Sequence, residues 1–210
     1  MTIDLAAPTP AQDRRVRRSR AALMAAAIAV VAERDTTAVP VSVIAEAADV
    51  SRQLVYQQFG DRDELLLAAA LDLARRELLP CLVDVSEAMT DRARPLAMAR
   101  HFAAHREFYR AMLTGSCAFA LNKALTGLLV PANRQAVHRL YGDRLDPRTV
   151  EDLAVGLTGA GAALFNTWVV EGDDPLDPAE FADRLMRMMS VATAAMRRPA
   201  TAARNKENHR

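Results

Sequence analysis

The 210-residue chain has little of what several protein classes need. Its 2 cysteines, Cys81 and Cys117, lie far apart with no partnered CxxC, which excludes a disulfide framework and a cysteine zinc cage. Glycine (8 residues) and aromatics (5%) are scarce, while alanine, the best helix former, is about a fifth of the chain. β-rich folds draw on Val, Ile, Thr and aromatics, so this composition predicts an all-α protein. No uninterrupted apolar run reaches the ~18 residues that crossing a bilayer requires, and no membrane partner is expected. Net charge is only +1, so any nucleic-acid contact must come from a local patch rather than a global field. Arg14–Arg20 followed by Ala21–Ala32 traces the outline of a secretory leader. The apolar part is mostly Ala, however, and the basic part starts only after thirteen residues. Export is not expected, and the location read from the sequence is cytoplasmic.

What is present is helical periodicity. Met1–Asp13 reads as a flexible tail, and from about Arg17 to Arg34 the residues Leu23, Ala26, Ala27, Val30 and Val31 mark one helix face. Asp35-Thr36-Thr37 and Pro40 end it. Val41–Ala48 predicts a short helix with Val43, Ile44 and Ala47 inward. Asp49-Val50-Ser51 is a turn, with Ser51 capping a second short helix to about Phe59. After Gly60, Asp61 caps a helix from Arg62 to about Leu79, stopped by Pro80. Further helices are predicted over Pro95–Leu113, Ser116–Tyr141 (kinked or split at Pro131), Arg148–Val170 and Ala179–Arg197. The tail 199–210 reads as disordered.

Two short helices joined by a tight turn have the layout of a helix-turn-helix, about residues 40–59. The second must fit a major groove ~12 Å wide, so it is short and carries polar side chains outward. In Ser51–Phe59, Leu54 or Val55 and Phe59 can anchor inward, leaving Arg52, Gln53 and Gln57 as candidates for base readout. Arg matches the guanine O6/N7 edge and Gln the adenine N6/N7 edge. Tyr56 can bond a phosphate, and the helix start under Ser51 offers backbone N–H groups to another. Phe59 reads as core.

The pattern Leu23-Met24-x-Ala26-Ala27-x-x-Val30-Val31-x-Glu33, Ile44-Ala45-x-x-Ala48-x-Val50-Ser51 and Tyr56-x-x-Phe59-x-Asp61-Arg62-x-x-Leu65 resembles the N-terminal domain of TetR-family transcriptional regulators, over about Arg17 to Ala70. The resemblance implies a three-helix DNA-binding domain followed by a helical ligand-binding and dimerisation body, about nine helices in all. Three departures stand out. The family usually has Gly where this chain has Asp35 and Asp49; both positions are expected to need a left-handed backbone, which Asp tolerates. The family tends to begin its second helix with Thr, where this chain has Pro40-Val41, leaving Ser42 as the substitute phosphate ligand. The basic residue after the recognition helix is Arg62 instead of Lys, which keeps the charge for a phosphate, although Asp63 or Asp61 could pair with it. Arg14, Arg15, Arg17 and Arg18 form an arm that can track phosphates or enter the minor groove.

The resulting division is a basic arm (1–16), the helix-turn-helix domain (17–62), the helical body (63–198) and a tail (199–210). In the body, Gly156, Gly159 and Gly161 leave one helix stretch nearly bare, although each Gly costs ~1 kcal/mol against Ala there. With Leu185, Met188, Met189 and Ala192 on the last helix, they suggest a four-helix interface with a second copy, against close packing within one chain. Phe102, His105, Tyr109, Met112, Phe119, Asn122, Phe165 and Trp168 mix apolar surface with a few polar groups, as a small, mostly apolar effector would require, or as an ordinary core would. His101 and His105 at i, i+4 offer two metal ligands, but no carboxylate or Cys at helical spacing completes a set, so neither a metal site nor a cofactor is expected. There is no GxSxG, GxxxxGK[ST], HExxH or GxGxxG, and Ser116-Cys117 has no obvious partner, so no catalytic residues are expected. The reading that follows is a homodimeric regulator, more a repressor than an activator, binding double-stranded DNA at a palindromic operator and answering to an effector. The alternative is a helical ligand-binding or scaffolding protein whose sequence-specific DNA binding has weakened.

Overall fold

The computed structural model describes residues 10–83 and 92–197, and among them every regular element is helical. α1 (Pro10–Arg34) starts earlier than the periodicity suggests. Proline is welcome in a first turn, and nothing after Pro10 breaks the helix. Arg14, Arg15, Arg17 and Arg18 therefore ride on a helix instead of a loose arm, with residues 1–9 outside the described residues. The expected face is buried: Leu23, Ala27 and Val31 are sealed, with Ala26 and Val30 beside them. Asp35 ends α1 at φ 48, the left-handed backbone expected there, and its carboxylate meets Arg110 at 2.9 Å.

α2 (Val41–Ala47) and α3 (Arg52–Phe59) follow. Ile44 and Ala45 point inward, and Ala47, expected in the core, is exposed. Asp49 turns the chain at φ 52 and Ser51 Oγ accepts from Leu54 N at 3.3 Å, so the turn and cap are those read from the sequence. Gly60 at φ 85 closes α3, a backbone that side chains resist. Asp61 then caps α4 (Arg62–Leu73) by accepting from Glu64 N at 2.8 Å.

Pro80 does not stop this helix. α4 passes through one wide π turn, Ala74–Leu78, into α5 (Leu79–Val83), which contains Pro80. A proline ring clashes with the carbonyl four residues back, here that of Arg76. Arg76 lies inside the π turn, where Leu79 N bonds Ala74 O, five residues back, and the widened backbone makes room for the ring.

The stretch expected as one helix over Pro95–Leu113 is two, α6 (Ala93–Ala104) and α7 (Arg106–Thr114), broken at His105 (φ −121, ψ 30). The break lets Arg106 turn inward, where its guanidinium donates to the carbonyls of Val169, Gly172 and Asp173 at 3.2, 2.5 and 3.1 Å. Val169 is in the last turn of a later helix, where carbonyls lack a partner within the helix, and Gly172 and Asp173 follow that helix directly, so a cation there is favoured. α8 (Ala118–Tyr141) contains Pro131 and stays one helix. α9 (Pro147–Glu171) starts under an Asp146 cap, and α10 (Pro178–Arg197) closes the described chain.

Counting α4 through α5 as one rod, the described residues form nine, the number expected. α1 packs on α2, α4 and α7, α8 lies along α9, and α10 lies on α6. A single apolar cluster runs from Leu23 in α1 to Leu185 in α10, so the N-terminal domain and the body share one core. α9 is, by length and composition, apolar enough to cross a bilayer, although Thr158, Asn166 and Thr167 interrupt its apolar run. Here Phe165, Trp168 and Val169 put one side of its C-terminal half in that core, and Val150 and Ala154 are buried nearer its start.

Candidate nucleic-acid interface

α3 sits on the domain through Val55 and Phe59, which are buried, while Arg52, Gln53, Tyr56 and Gln57 are exposed. The helix thus separates an anchoring side from a side rich in donors and acceptors. Tyr56 is 49% exposed, which suits the outward reading over the core reading. Ser42 and Ser51 are exposed at the starts of α2 and α3. No side chain caps α2 at Pro40, so its first N–H groups are open to another acceptor.

Two basic residues behave differently from the solvated cluster the sequence suggests. Arg20 stacks over the Phe59 ring at 4.0 Å and donates to Gln58 O at 2.8 Å, while Gln58 Nε2 donates to Ser19 Oγ at 3.0 Å. Residues 19 and 20 therefore clamp α3 to α1, a contact that only the three-dimensional pairing of the helices reveals. Arg62 is held by its neighbour, its guanidinium meeting Asp63 at 2.8 Å. Burial pushes the Asp63 carboxyl up, but hydrogen bonds from Arg62 and Ser116 outweigh it and hold the group below the usual range.

The remaining residues singled out in the sequence lie in the body. Phe102, Tyr109, Met112, Phe165 and Trp168 are buried. Phe102 packs on Tyr109 at 4.7 Å and on Phe165 at 5.0 Å, and Phe181 stacks on Trp168 at 4.3 Å. Phe119 is not with them; it is 80% exposed on α8, because the helix start turns it outward while Leu121 takes the core side. Asn122 is half-buried and accepts from Asn166 at 2.7 Å. A separate cleft of about 40 Å³, lined by Val137, Leu140, Leu153 and Met189 among others, lies between α8, α9 and α10, and none of the expected pocket residues lines it.

The small-residue stretch of α9 faces out. A methyl group added at Gly156, Gly159 or Gly161 would meet nothing within 4 Å, so among the described residues no helix of the same chain packs closely there. Val155, Gly156, Gly159, Ala160 and Ala163 form an exposed stripe at helical spacing. On α10, Leu185 is committed to the body's own core, Met188 and Met189 are half-buried, and the Ala192 side chain lies outside the described residues.

The two histidines share a carboxylate that helical spacing does not reveal. Glu77, from the π turn, places Oε2 3.2 Å from His101 Nδ1 and 2.7 Å from His105 Nε2. Burial, reinforced by the nearby His105, pushes His101 down to about 4, so its ring is neutral at pH 7. Burial also raises the Cys117 thiol, with Asp63 adding to the effect, which is the opposite of what an activated nucleophile needs.

With this geometry in hand, residues 23–69 match the family model described as bacterial regulatory proteins, tetR family. No curated protein matches the chain. Solved structures share the fold. The fatty acid degradation regulator FadR from Bacillus halodurans aligns over 80% of this chain and 96% of its own, with 18% identity and a TM-score of 0.59. A putative TetR-family transcriptional regulator from Rhodococcus sp. aligns over 83% and 98%, with 20% identity and a TM-score of 0.59. NalD, the secondary repressor of the MexAB-OprM multidrug efflux pump in Pseudomonas aeruginosa, aligns over 84% and 96%, with 21% identity and a TM-score of 0.58.

Proposed function

We propose that this chain is a cytoplasmic, ligand-responsive repressor that binds a palindromic operator as a homodimer, a reading supported by the match of residues 23–69 to the family model of bacterial regulatory proteins, tetR family, and by the helix-turn-helix they form. The observation that carries the reading is α3: buried Val55 and Phe59 fix it while Arg52, Gln53 and Gln57 stand outward in one exposed row. Arg52 and Gln53 read base edges, and Ser42, Ser51, Tyr56 and the exposed arginines of α1 hold phosphates. Arg62 contributes to phosphate binding only by exchanging its bond to Asp63. The bare face of α9 around Gly156 and Gly159 takes the second copy, together with α10, whose Met189 lines a cleft with Leu153 and Leu157 of α9. Two recognition helices then meet major grooves about one turn, ~34–36 Å, apart.

The effector is a small, mostly apolar molecule. Apolar and aromatic surface at Phe102, Tyr109, Phe165 and Trp168 supports this, as does the fold shared with regulators of fatty acid degradation and of a multidrug efflux pump. These rings pack on one another in the present state, so an effector must part them. It releases DNA only to the extent that it binds the parted, DNA-incompetent arrangement more tightly.

The experiment is binding of the purified protein to the DNA immediately upstream of its own gene, across a salt series, with random duplex as competitor. Tight binding that survives competition is expected. Equal, salt-sensitive binding to both DNAs would mean that α3 no longer reads this sequence, and would favour a helical protein acting through its body alone.

A further inference from the structure

We infer that Glu77, His101 and His105 form a binding site for a borderline divalent cation, with Zn2+ as its best match. One oxygen and two imidazole nitrogens lie within 4.8 Å of one another. The same carboxylate oxygen, Oε2, faces both rings, at 3.2 Å from His101 Nδ1 and 2.7 Å from His105 Nε2. A tetrahedral zinc shell with bonds of ~2.0–2.2 Å separates its ligand atoms by roughly 3.3–3.6 Å, so the two oxygen–nitrogen separations need only widen by fractions of an ångström, while the two ring nitrogens, within 4.8 Å of each other, settle to the same spacing. Two imidazoles with one carboxylate suit Zn2+ and disfavour Mg2+ and Ca2+, which prefer all-oxygen shells.

The supporting geometry is that of a positioned ligand set. His101 Nε2 lies 2.9 Å from the Tyr109 hydroxyl, which is fully buried. When Nε2 donates its proton to that oxygen, Nδ1 presents its lone pair towards Glu77, the outer hydrogen bond that metal-binding histidines characteristically make. Glu77 sits in the π turn and His105 at the break between α6 and α7, so both departures from regular helix in this part of the bundle carry a ligand. The site is open on one side: the side chains of Glu77 and His105 are 43% and 25% exposed, against 4% for His101. A cation can therefore enter past Glu77 and keep a fourth position for water or an anionic group. Because Glu77 and the two histidines belong to different helices, the ion would tie the run that begins at Arg62 to the α6–α7 corner. The inference does not depend on how α3 reads DNA.

The test uses the full-length chain stripped of metal by a chelator. Zn2+ affinity is measured by competition with a chromophoric chelator, and Co2+ is used as a visible-spectrum probe. One Zn2+ per chain and a tetrahedral Co2+ band are expected. Glu77→Gln and His105→Gln should each weaken Zn2+ at least 100-fold while matching the wild-type helix content and metal-free Tm. Tyr109→Phe should weaken it by roughly 10-fold or more. As a second measurement that needs no variant, saturating Zn2+ should raise the Tm of the wild type. Binding well below one per chain, no change in Tm, or wild-type affinity in both Glu77→Gln and His105→Gln would overturn the site; the last result would place the ion at other residues such as His138.

Discussion

Both α3 and α9 show solvent a full helical face, and the two faces are built in opposite ways. On α3 the outward residues are Arg52, Gln53, Tyr56 and Gln57, all long and able to hydrogen-bond. On α9, between the exposed Asp152 and Thr167, they are Val155, Gly156, Gly159, Ala160 and Ala163, short and apolar. A polar face loses little by staying in water and gains by meeting a surface with its own directed donors and acceptors, such as the base edges of a groove. A bare apolar face gains from a partner that approaches closely and excludes water, such as another helix. The difference shows that exposure alone does not identify a partner; the chemistry of what is exposed does.

The largest expected effect comes from converting the second face into something like the first. Gly159→Glu puts a charge where close approach is needed, and should leave the chain monomeric in sedimentation and weaken operator binding at least 100-fold through loss of paired half-sites. A variant that is monomeric but binds as well as wild type would separate the two faces functionally. Next is Arg52→Ala, expected to cost ~1–3 kcal/mol on operator and to relax specificity at one base pair. Its counterpart Arg62→Ala should weaken operator and random DNA equally and less, because Asp63 already occupies that guanidinium. Equal losses on both DNAs for Arg52→Ala would remove it from base readout.

Smaller effects concern the turn beneath α3. Asp49 holds φ 52, a backbone that Gly adopts more easily, and its exposed charge stands two residues before the Ser51 cap of α3. Asp49→Gly should change stability by no more than ~1 kcal/mol and tighten binding to any duplex a few-fold. A weakening there would mean that the carboxylate is needed. Smallest is Asp63→Asn. The Asp63 pKa is held below its ordinary 3.8, so its contribution is complete above that value and is lost as pH falls through the lower folded one. The Tm gap between variant and wild type should therefore close in acid; a gap that does not change with pH would assign the effect to packing.

The same contrast explains what could be read in advance. The N-terminal domain announces itself through local signals: Ser51 and Asp61 as caps, Asp35 and Asp49 at left-handed turns, Val55 and Phe59 as anchors, each acting within a few residues. The body is shaped by partners far along the chain. The break at His105 belongs with Arg106, which reaches carbonyls more than sixty residues away, and Pro80 is tolerated because the π turn precedes it. Glu77 joins histidines 24 and 28 residues distant, which helical spacing cannot reveal. Leu185 and Phe119 exchange their expected sides for the same reason: periodicity finds a face but not which neighbour it meets.

The most direct test of DNA reading by α3 is selection from a random duplex library by the wild-type protein, with an Arg52→Ala selection beside it. The account predicts an enriched palindrome with half-site centres ~10–10.5 base pairs apart or a multiple of that, and loss of preference at one symmetric pair of positions in the variant. No enrichment, or an enriched site unchanged by Arg52→Ala, would contradict it.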